Sequence, residues 1–429
     1  MSQALARAFN EPTVPPAVLM AAGGGSDDDL TEESLRAEAL AGVENLRRMA
    51  HDELRQVIAQ RVNLLDASSP NPSVETLLHA FLPHKFIDHT HANATLALTD
   101  QPDGEAICRK VFGDRVGYVP YIMPGFALSK MALKVYQENP KVEGLMLLNH
   151  GIFSFGDTAK QAYSRMIKLV SLAEKYIKAN ARKSIKARSL PKKIASLADV
   201  APILRGATTH NDKKMVLEFR TSKTVRAFVD GKDVARYSQR GTVTPDHVIR
   251  TKHRPLIVAP PVAGKLEEFG AGVKKAVADY EAEYPAYFKR NNAKSKIKKT
   301  ELDPMPRVIL VPGLGLFGMG NSAKAAAIAA DLAETNVSVI SHAEAMSSYD
   351  CIAPRDTFDL EYWSLEQAKL SKVAEKPLAR QVVVVTGGGS GIGAASARAF
   401  AAQGAEVCVL DLDYNAAANV ATPIGGLPV

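Results

Sequence analysis

The sequence predicts an α/β protein, on the strength of three stretches. Residues 142–148 form a short apolar run of the kind a buried strand requires, and the regular apolar spacing of 158–176 predicts a helix behind it. Residues 308–311 read as a strand, 323–332 as a helix and 337–340 as a further strand. Residues 381–393 (Gln-Val-Val-Val-Val-Thr-Gly-Gly-Gly-Ser-Gly-Ile-Gly) read as strand, glycine turn and helix start, and 406–410 as the next strand. A strand–helix–strand start of this kind predicts a parallel sheet.

A chain of 429 residues is long enough for two or three domains, each with its own core. Its longest apolar runs, such as 308–311 and 382–385, are broken by Pro or Gly far short of the ~20 residues of a membrane-spanning helix, so no membrane partner is expected. Cys108, Cys351 and Cys408 lie far apart and form no CxxC pair, which suits a reducing compartment, hence the cytoplasm. The net charge of +7 is concentrated in 175–193 and 289–299. Neither stretch interleaves aromatic residues with its charges, so both read as solvated faces and no nucleic-acid partner is expected.

Residues 1–45 carry Pro12, Pro15, Pro16 and a Gly-Gly-Gly-Ser run, and read as an irregular leader. Helical periodicity begins near Leu30 and continues through 43–62. In 72–82, Pro and Ser supply a helix start, with Leu77, Leu78 and Phe81 as the buried stripe. Glu75 then falls in the first turn, where a carboxylate either complements the helix dipole or serves a nearby site.

In the extended stretch 86–95, side chains two apart share a face, so His89 and His91 present two imidazoles side by side. The pair is half of a metal site, or else two satisfied polar groups on a half-buried strand. His150 stands at the end of the 142–148 strand, directly before Gly151, where a side chain is exposed. With His89 and His91 it completes a three-histidine set, and such a zinc site keeps one coordination position open.

Two glycine motifs invite comparison. Gly313-Leu-Gly-Leu-Phe-Gly318 is a literal GxGxxG, but the strand expected after it ends in Ser341-His342 where a ribose-binding acid would be needed. It reads as part of an α/β connector. In the C-terminal motif Thr386 ends the strand, and Gly387, Gly389, Ser390, Gly391, Ile392 and Gly393 form the loop and helix start. Gly387 allows the tight turn, Gly391 admits a pyrophosphate, and Gly393 permits close helix–strand packing. Asp411, at the end of the second strand, is placed to bind ribose hydroxyls and favours NAD over NADP.

Several blocks occur in the order seen in class II aldolase/adducin-type domains. They are Pro72-Ser-Val-Glu-Thr-Leu-Leu-His, Asp88-His-Thr-His, Pro120-Tyr-Ile-Met-Pro-Gly-Phe-Ala and Asn149-His-Gly-Ile-Phe-Ser-Phe-Gly. More narrowly, the chain resembles the bifunctional rhamnulose-1-phosphate aldolase/short-chain dehydrogenase family. Supporting blocks are 201–206, 243–252, 303–318 and above all Glu361-Tyr-Trp-Ser-Leu-Glu-Gln-Ala-Lys-Leu370.

The resemblance implies a three-layer class II aldolase/adducin-like domain over 46–300, an α/β connector over 301–375 and the start of a Rossmann-like parallel sheet over 376–429. It implies zinc, or another divalent cation, on His89, His91 and His150, with Glu75 as the catalytic acid/base. The substrate would be a small phosphorylated sugar, a 1-phosphoketose cleaved to dihydroxyacetone phosphate and lactaldehyde. It also implies a homo-oligomer. Tyr121 is a second proton-donor candidate, or a packing ring.

The chain departs from the pattern in two places. Gly23-Gly-Gly-Ser26 lacks the Asn-Thr/Ser continuation of a phosphate-cradling loop. No Tyr-x-x-x-Lys follows Asp411, and 421–429 read as a ragged end. The expectation is a chain shortened at both ends, with an inactive dehydrogenase part. The alternatives to the aldolase are an NAD-binding oxidoreductase fragment and a non-catalytic, adducin-like assembly protein.

Overall fold

The computed structural model describes residues 72–429 except 74, 211, 296–297, 368 and 371–374. The expected leader and the helical stretch after Leu30 lie outside the described residues. The chain divides into two compact units: Met1–Lys183 with Val243–Pro245 and His342–Gln367, and Ser184–Thr242 with Asp246–Ser341 and Ala368–Val429.

Unit 1 runs α1 (Thr76–Phe81), β1 (Phe86–Thr90), α2 (Asn93–Thr99), α3 (Gly104–Phe112), β2 (Val116–Val119), α4 (Phe126–Glu138), β3 (Gly144–Leu147), β4 (Gly151–Gly156) and α5 (Ala159–Asn180). The sheet order is β1-β4-β3-β2, with β1 and β3 antiparallel to β4, and β2 parallel to β3. Period-two alternation decides what each face meets. Leu145, Leu147, Phe153 and Phe155 point to one face and pack on Leu78 and Leu82 of the α1 region and on Leu128 and Ala132 of α4. Ser154 points to the other face, where its hydroxyl donates to the Ala162 carbonyl of α5 at 2.8 Å. Helices thus cover both faces, a three-layer α/β arrangement. Each buried Leu or Phe in it contributes about 1.5–3 kcal/mol.

Unit 2 holds α6 (Leu197–Ala207), β5 (Val216–Arg220), β6 (Leu256–Ile257), α7 (Leu266–Asn292), β7 (Val308–Val311), β8 (Gly315–Gly320) and α8, which begins here (Ala323–Met346). Its main sheet has the order β5-β8-β7-β6, again antiparallel, antiparallel and parallel. Ile309, Val311, Phe317 and Met319 share a core with Val200 and Leu204 of α6 and with Val273, Val277 and Tyr280 of α7.

The GxGxxG at 313–318 is therefore a turn between antiparallel strands, with its last glycines inside β8. Those glycines serve close packing: a Cβ on Gly315 would stand 2.4 Å from the Arg220 carbonyl, and one on Gly318 would stand 2.3 Å from the Ala326 carbonyl. The strand expected over 337–340 is instead part of α8. The Ala-rich run from 323 carries helix through Val337 and Val339, because helix propensity accumulates over a long element and outweighs a short β-branched segment.

The C-terminal part of unit 2 runs β9 (Val382–Thr386), α9 (Gly391–Ala402), β10 (Glu406–Leu410), α10 (Tyr414–Ala421) and β11 (Leu427–Pro428). All three strands are parallel, in the order β9-β10-β11. The tail at 421–429, expected to be ragged, thus supplies a strand. Gly426 donates to the Ala421 carbonyl and Val429 to the Val409 carbonyl, which turns the chain back beside β10. Val385, Val407 and Val409 pack with Ala394, Ala397, Ala417 and Val420. Among the described residues, no helix is long and apolar enough to cross a membrane.

Candidate metal centre and active site

Four side chains from separate parts of unit 1 converge. Glu75 stands at the N-cap of α1, His89 on β1, His91 just past it, and His150 in the turn between β3 and β4. One potential ligand atom from each lies within 4.8 Å of the others. The Glu75 Oε1 is 3.1 Å from His150 Nε2 and 3.4 Å from His89 Nε2. The Nε2 atoms of His89 and His91 are 3.0 Å apart. These are the four residues singled out in the sequence as ligands and acid/base.

The backbone builds this convergence. Asn149 adopts φ 56°, a left-handed conformation that Asn tolerates better than most residues, and its amide donates to Asp100 Oδ1 at 3.1 Å. This turn directs His150 inward, where its residue is 3% exposed. Gly151 lets the imidazoles approach: a Cβ there would lie 2.7 Å from the Thr90 carbonyl, 2.9 Å from the His91 ring and 3.0 Å from the His89 ring. His89 also stacks on Phe153, with ring centroids 4.0 Å apart and planes at 14°.

Hydrogen bonds set the ring orientations. His89 Nδ1 is 3.1 Å from the Ile152 carbonyl. A carbonyl only accepts, so Nδ1 carries the proton and Nε2 keeps a lone pair toward the cluster. His91 Nδ1 is 3.1 Å from Thr244 Oγ1. Two imidazole nitrogens at 3.0 Å need a proton or a cation to bridge or separate their lone pairs. Burial pushes His150 below its usual range, against the pull of the Glu75 carboxylate, so its imidazole is neutral and ligand-ready. Burial opposes the charge on Glu75, but hydrogen bonds to His150 and His89 more than offset it and hold the carboxyl below its usual range. Three imidazoles, two of them oriented by outer partners (His89 by the Ile152 carbonyl and His91 by Thr244), beside a carboxylate, fit the donor set of a divalent cation such as zinc.

Thr244 and the Ile152 carbonyl are the site groups that sequence reasoning passed over. Tyr121 has a buried hydroxyl without a hydrogen-bond partner among the described residues, and it is not one of the clustered groups.

The glycine loop of unit 2 is a separate feature. Thr386 ends β9, Gly387 has φ 60° and Gly391 φ 50°, and Ser390 occupies the N-cap of α9. A Cβ on Gly393 would stand 2.1 Å from the Gly387 carbonyl, so only glycine allows this helix–loop contact. Ile392 is 87% exposed. Asp411 Oδ2 accepts from the Gly389 amide at 2.9 Å, and Oδ1 from the Asp413 amide at 3.1 Å. The Asp413 and Gly389 bonds lower its carboxyl below the usual range. The acid predicted for ribose is thus also a brace of the loop itself.

Comparison with known families agrees with this layout. Residues 37–177 match the Class II Aldolase and Adducin N-terminal domain, 195–370 the second domain of class II aldolase, and 381–427 the short chain dehydrogenase family. The chain carries class II aldolase-type domains followed by a short-chain dehydrogenase region.

It is 34% identical over 370 residues to the "Uncharacterized oxidoreductase YuxG" of Bacillus subtilis (strain 168), a match covering 84% of this chain and 53% of that protein. The chain thus spans about half the length of this relative. It is also 35% identical over 74 residues to the Short-chain dehydrogenase reductase 4 of Arabidopsis thaliana, covering 17% of this chain and 24% of that one. Among solved structures, the N-terminal class II aldolase domain of a conserved protein from Thermoplasma acidophilum is 38% identical, covering 31% of this chain and 63% of that chain, with a TM-score of 0.28.

Proposed function

We propose that unit 1 is a metal-dependent aldolase-type lyase acting on a 1-phosphoketose such as rhamnulose 1-phosphate, with dihydroxyacetone phosphate and lactaldehyde as products. The observation that carries this reading is the convergence of His89, His91, His150 and Glu75 within 4.8 Å. His89, His91 and His150 would hold the cation, zinc being the first candidate. When bound, the cation supplies Lewis acidity toward the carbonyl and hydroxyl oxygens of the ketose.

The remaining work falls to the protein's own groups. His89 is kept in one tautomer by the Ile152 carbonyl, and His91 is steered by Thr244. Glu75, a carboxylate held ionised by its bonds to His150 and His89, would accept the substrate hydroxyl proton as the carbon–carbon bond breaks and return it to the carbon left by that cleavage. Glu75→Gln tests this role. The variant should keep its metal while release of dihydroxyacetone phosphate falls about 10²–10⁴-fold. Undiminished cleavage would remove Glu75 from the mechanism.

A second reading concerns the C-terminal part. The parallel β9–α9–β10 unit with its loop at 386–393 supports NAD binding by the short-chain dehydrogenase region. Equilibrium dialysis with NAD would detect it. A non-catalytic, adducin-like role is the outcome if neither metal nor nucleotide binds. The three cysteines, far apart in the chain and without a CxxC pair, support a cytoplasmic location.

A further inference from the structure

The two four-stranded sheets correspond strand for strand, and the correspondence extends to single residues. Gly151-Ile-Phe-Ser-Phe-Gly-Asp-Thr-Ala-Lys160 in unit 1 matches Gly315-Leu-Phe-Gly-Met-Gly-Asn-Ser-Ala-Lys324 in unit 2, with the same residue at both glycines, the first phenylalanine, the alanine and the lysine. The strand registers agree as well: His89 lies opposite Phe153 and Phe86 opposite Gly156, as Phe219 lies opposite Phe317 and Val216 opposite Gly320. Thr158 caps α5 by accepting from the Gln161 amide at 3.2 Å, and Ser322 accepts from the Ala325 amide at the same distance.

The turns correspond too. Asn149, at φ 56°, has its counterpart in Gly313, at φ 92°. A Cβ on Gly151 would meet the Thr90 carbonyl and the rings of His91 and His89. One on Gly315 would meet the Arg220 carbonyl at 2.4 Å, and Phe219 and Thr221 at 3.2 Å each. Each neighbour of Gly151 thus has an equivalent around Gly315.

We infer that unit 2 contains a second copy of the aldolase-type fold in which Phe219, Thr221 and Leu314 stand where unit 1 has His89, His91 and His150. This rests on the reading of those three histidines as metal ligands. The replacements contact one another or the same sheet positions. Phe219 packs on Phe317 with ring centroids 5.0 Å apart, as His89 packs on Phe153. Thr221 Oγ1 donates to the Leu314 carbonyl at 2.9 Å. A phenyl ring and an isobutyl group have no lone pair to offer a cation, and one neutral hydroxyl is no substitute for the three imidazoles of a zinc site. Among the described residues the three-histidine set thus stands in unit 1 alone, and the aldolase-type sheet of unit 2 serves as a non-catalytic copy.

The test moves the ligands from one copy to the other. In a His89→Ala/His91→Ala background, Phe219→His, Thr221→His and Leu314→His should restore about one zinc per chain, read by elemental analysis and by the absorption spectrum with cobalt. A Thr221→His/Leu314→His variant, which keeps the Phe219–Phe317 contact, is carried in parallel and should take up nickel or cobalt. Circular dichroism checks both folds. No metal on either folded variant overturns the inference, as does a second metal on the wild-type chain that survives loss of the unit 1 histidines. Absence of metal on the wild type alone contradicts the aldolase reading instead. The engineered variants still decide whether the positions correspond.

Discussion

The Oγ1 of Thr244 lies 3.1 Å from Nδ1 of His91, a contact between residues 153 positions apart in the chain. The distant segment Val243–Pro245 belongs to unit 1 and places a hydroxyl behind a candidate ligand. Outer partners of this kind typically govern metal affinity by 10–100-fold. Thr244→Val should therefore weaken metal binding by about that factor, while Thr244→Ser should restore it. Competition with a chelating dye measures both, and equal affinities for Val and wild type would show that the contact is incidental.

Gly151 is the point at which a single methyl group should disturb both fold and site. In Gly151→Ala the new Cβ would meet the Thr90 carbonyl at 2.7 Å, and backbone yields less readily than a side-chain end. Overpacking of this kind costs about 1–3 kcal/mol. The shift needed to relieve it also separates β1 from β4 beside the histidines. A lower urea midpoint together with weaker metal binding is expected. An unchanged midpoint would mean the strands can part without loss.

His253 gives unit 2 a pH signature. It stacks on Tyr287, with centroids 4.6 Å apart and planes at 11°. Burial, with Arg254, Lys252 and Arg290 adding repulsion, brings its pKa down from 6.5 to about 3. The folded value is depressed, so the unfolded chain takes up the proton first as pH falls. The contribution is complete above pH 6.5 and is lost between 6.5 and about 3. The slope is up to ~1.4 kcal/mol per pH unit. His253→Phe keeps the stack without the titration. Between pH 6 and 5 its unfolding free energy should therefore fall less than that of the wild type, by up to ~1.4 kcal/mol. Parallel slopes for the two proteins would contradict this.

Much of the site was legible in the sequence because its chemistry is local. His89 and His91 are two apart on an extended stretch, and His150 is marked by the strand before it and the glycine after it. The α/β class and the glycine loop of β9–α9 were legible for the same reason: each is a short strand–turn–helix signal. Thr244 was not, because its contact is long-range and a threonine after a valine carries no pattern of its own. The segment 337–340 misled because Val337, Val339 and Ile340, three β-branched residues in four, look alike in a strand and in a long Ala-rich helix. Gly313-Leu-Gly-Leu-Phe-Gly318, read as part of an α/β connector despite its spacing, turns between two strands: Gly318 answers to the backbone of α8, Gly315 to the Arg220 carbonyl and Gly313 to Ile194. The second copy of the fold was hidden because the histidines that would announce it are Phe219, Thr221 and Leu314.

The central claim is that His89, His91 and His150 hold a divalent metal, and the most direct test is metal content. Purified wild-type protein and a His89→Ala/His91→Ala variant would be compared by elemental analysis, before and after incubation with zinc. About one zinc per chain in the wild type and none in the variant is the predicted result. A wild-type chain that neither carries nor takes up metal, or a variant that retains it, would contradict the account.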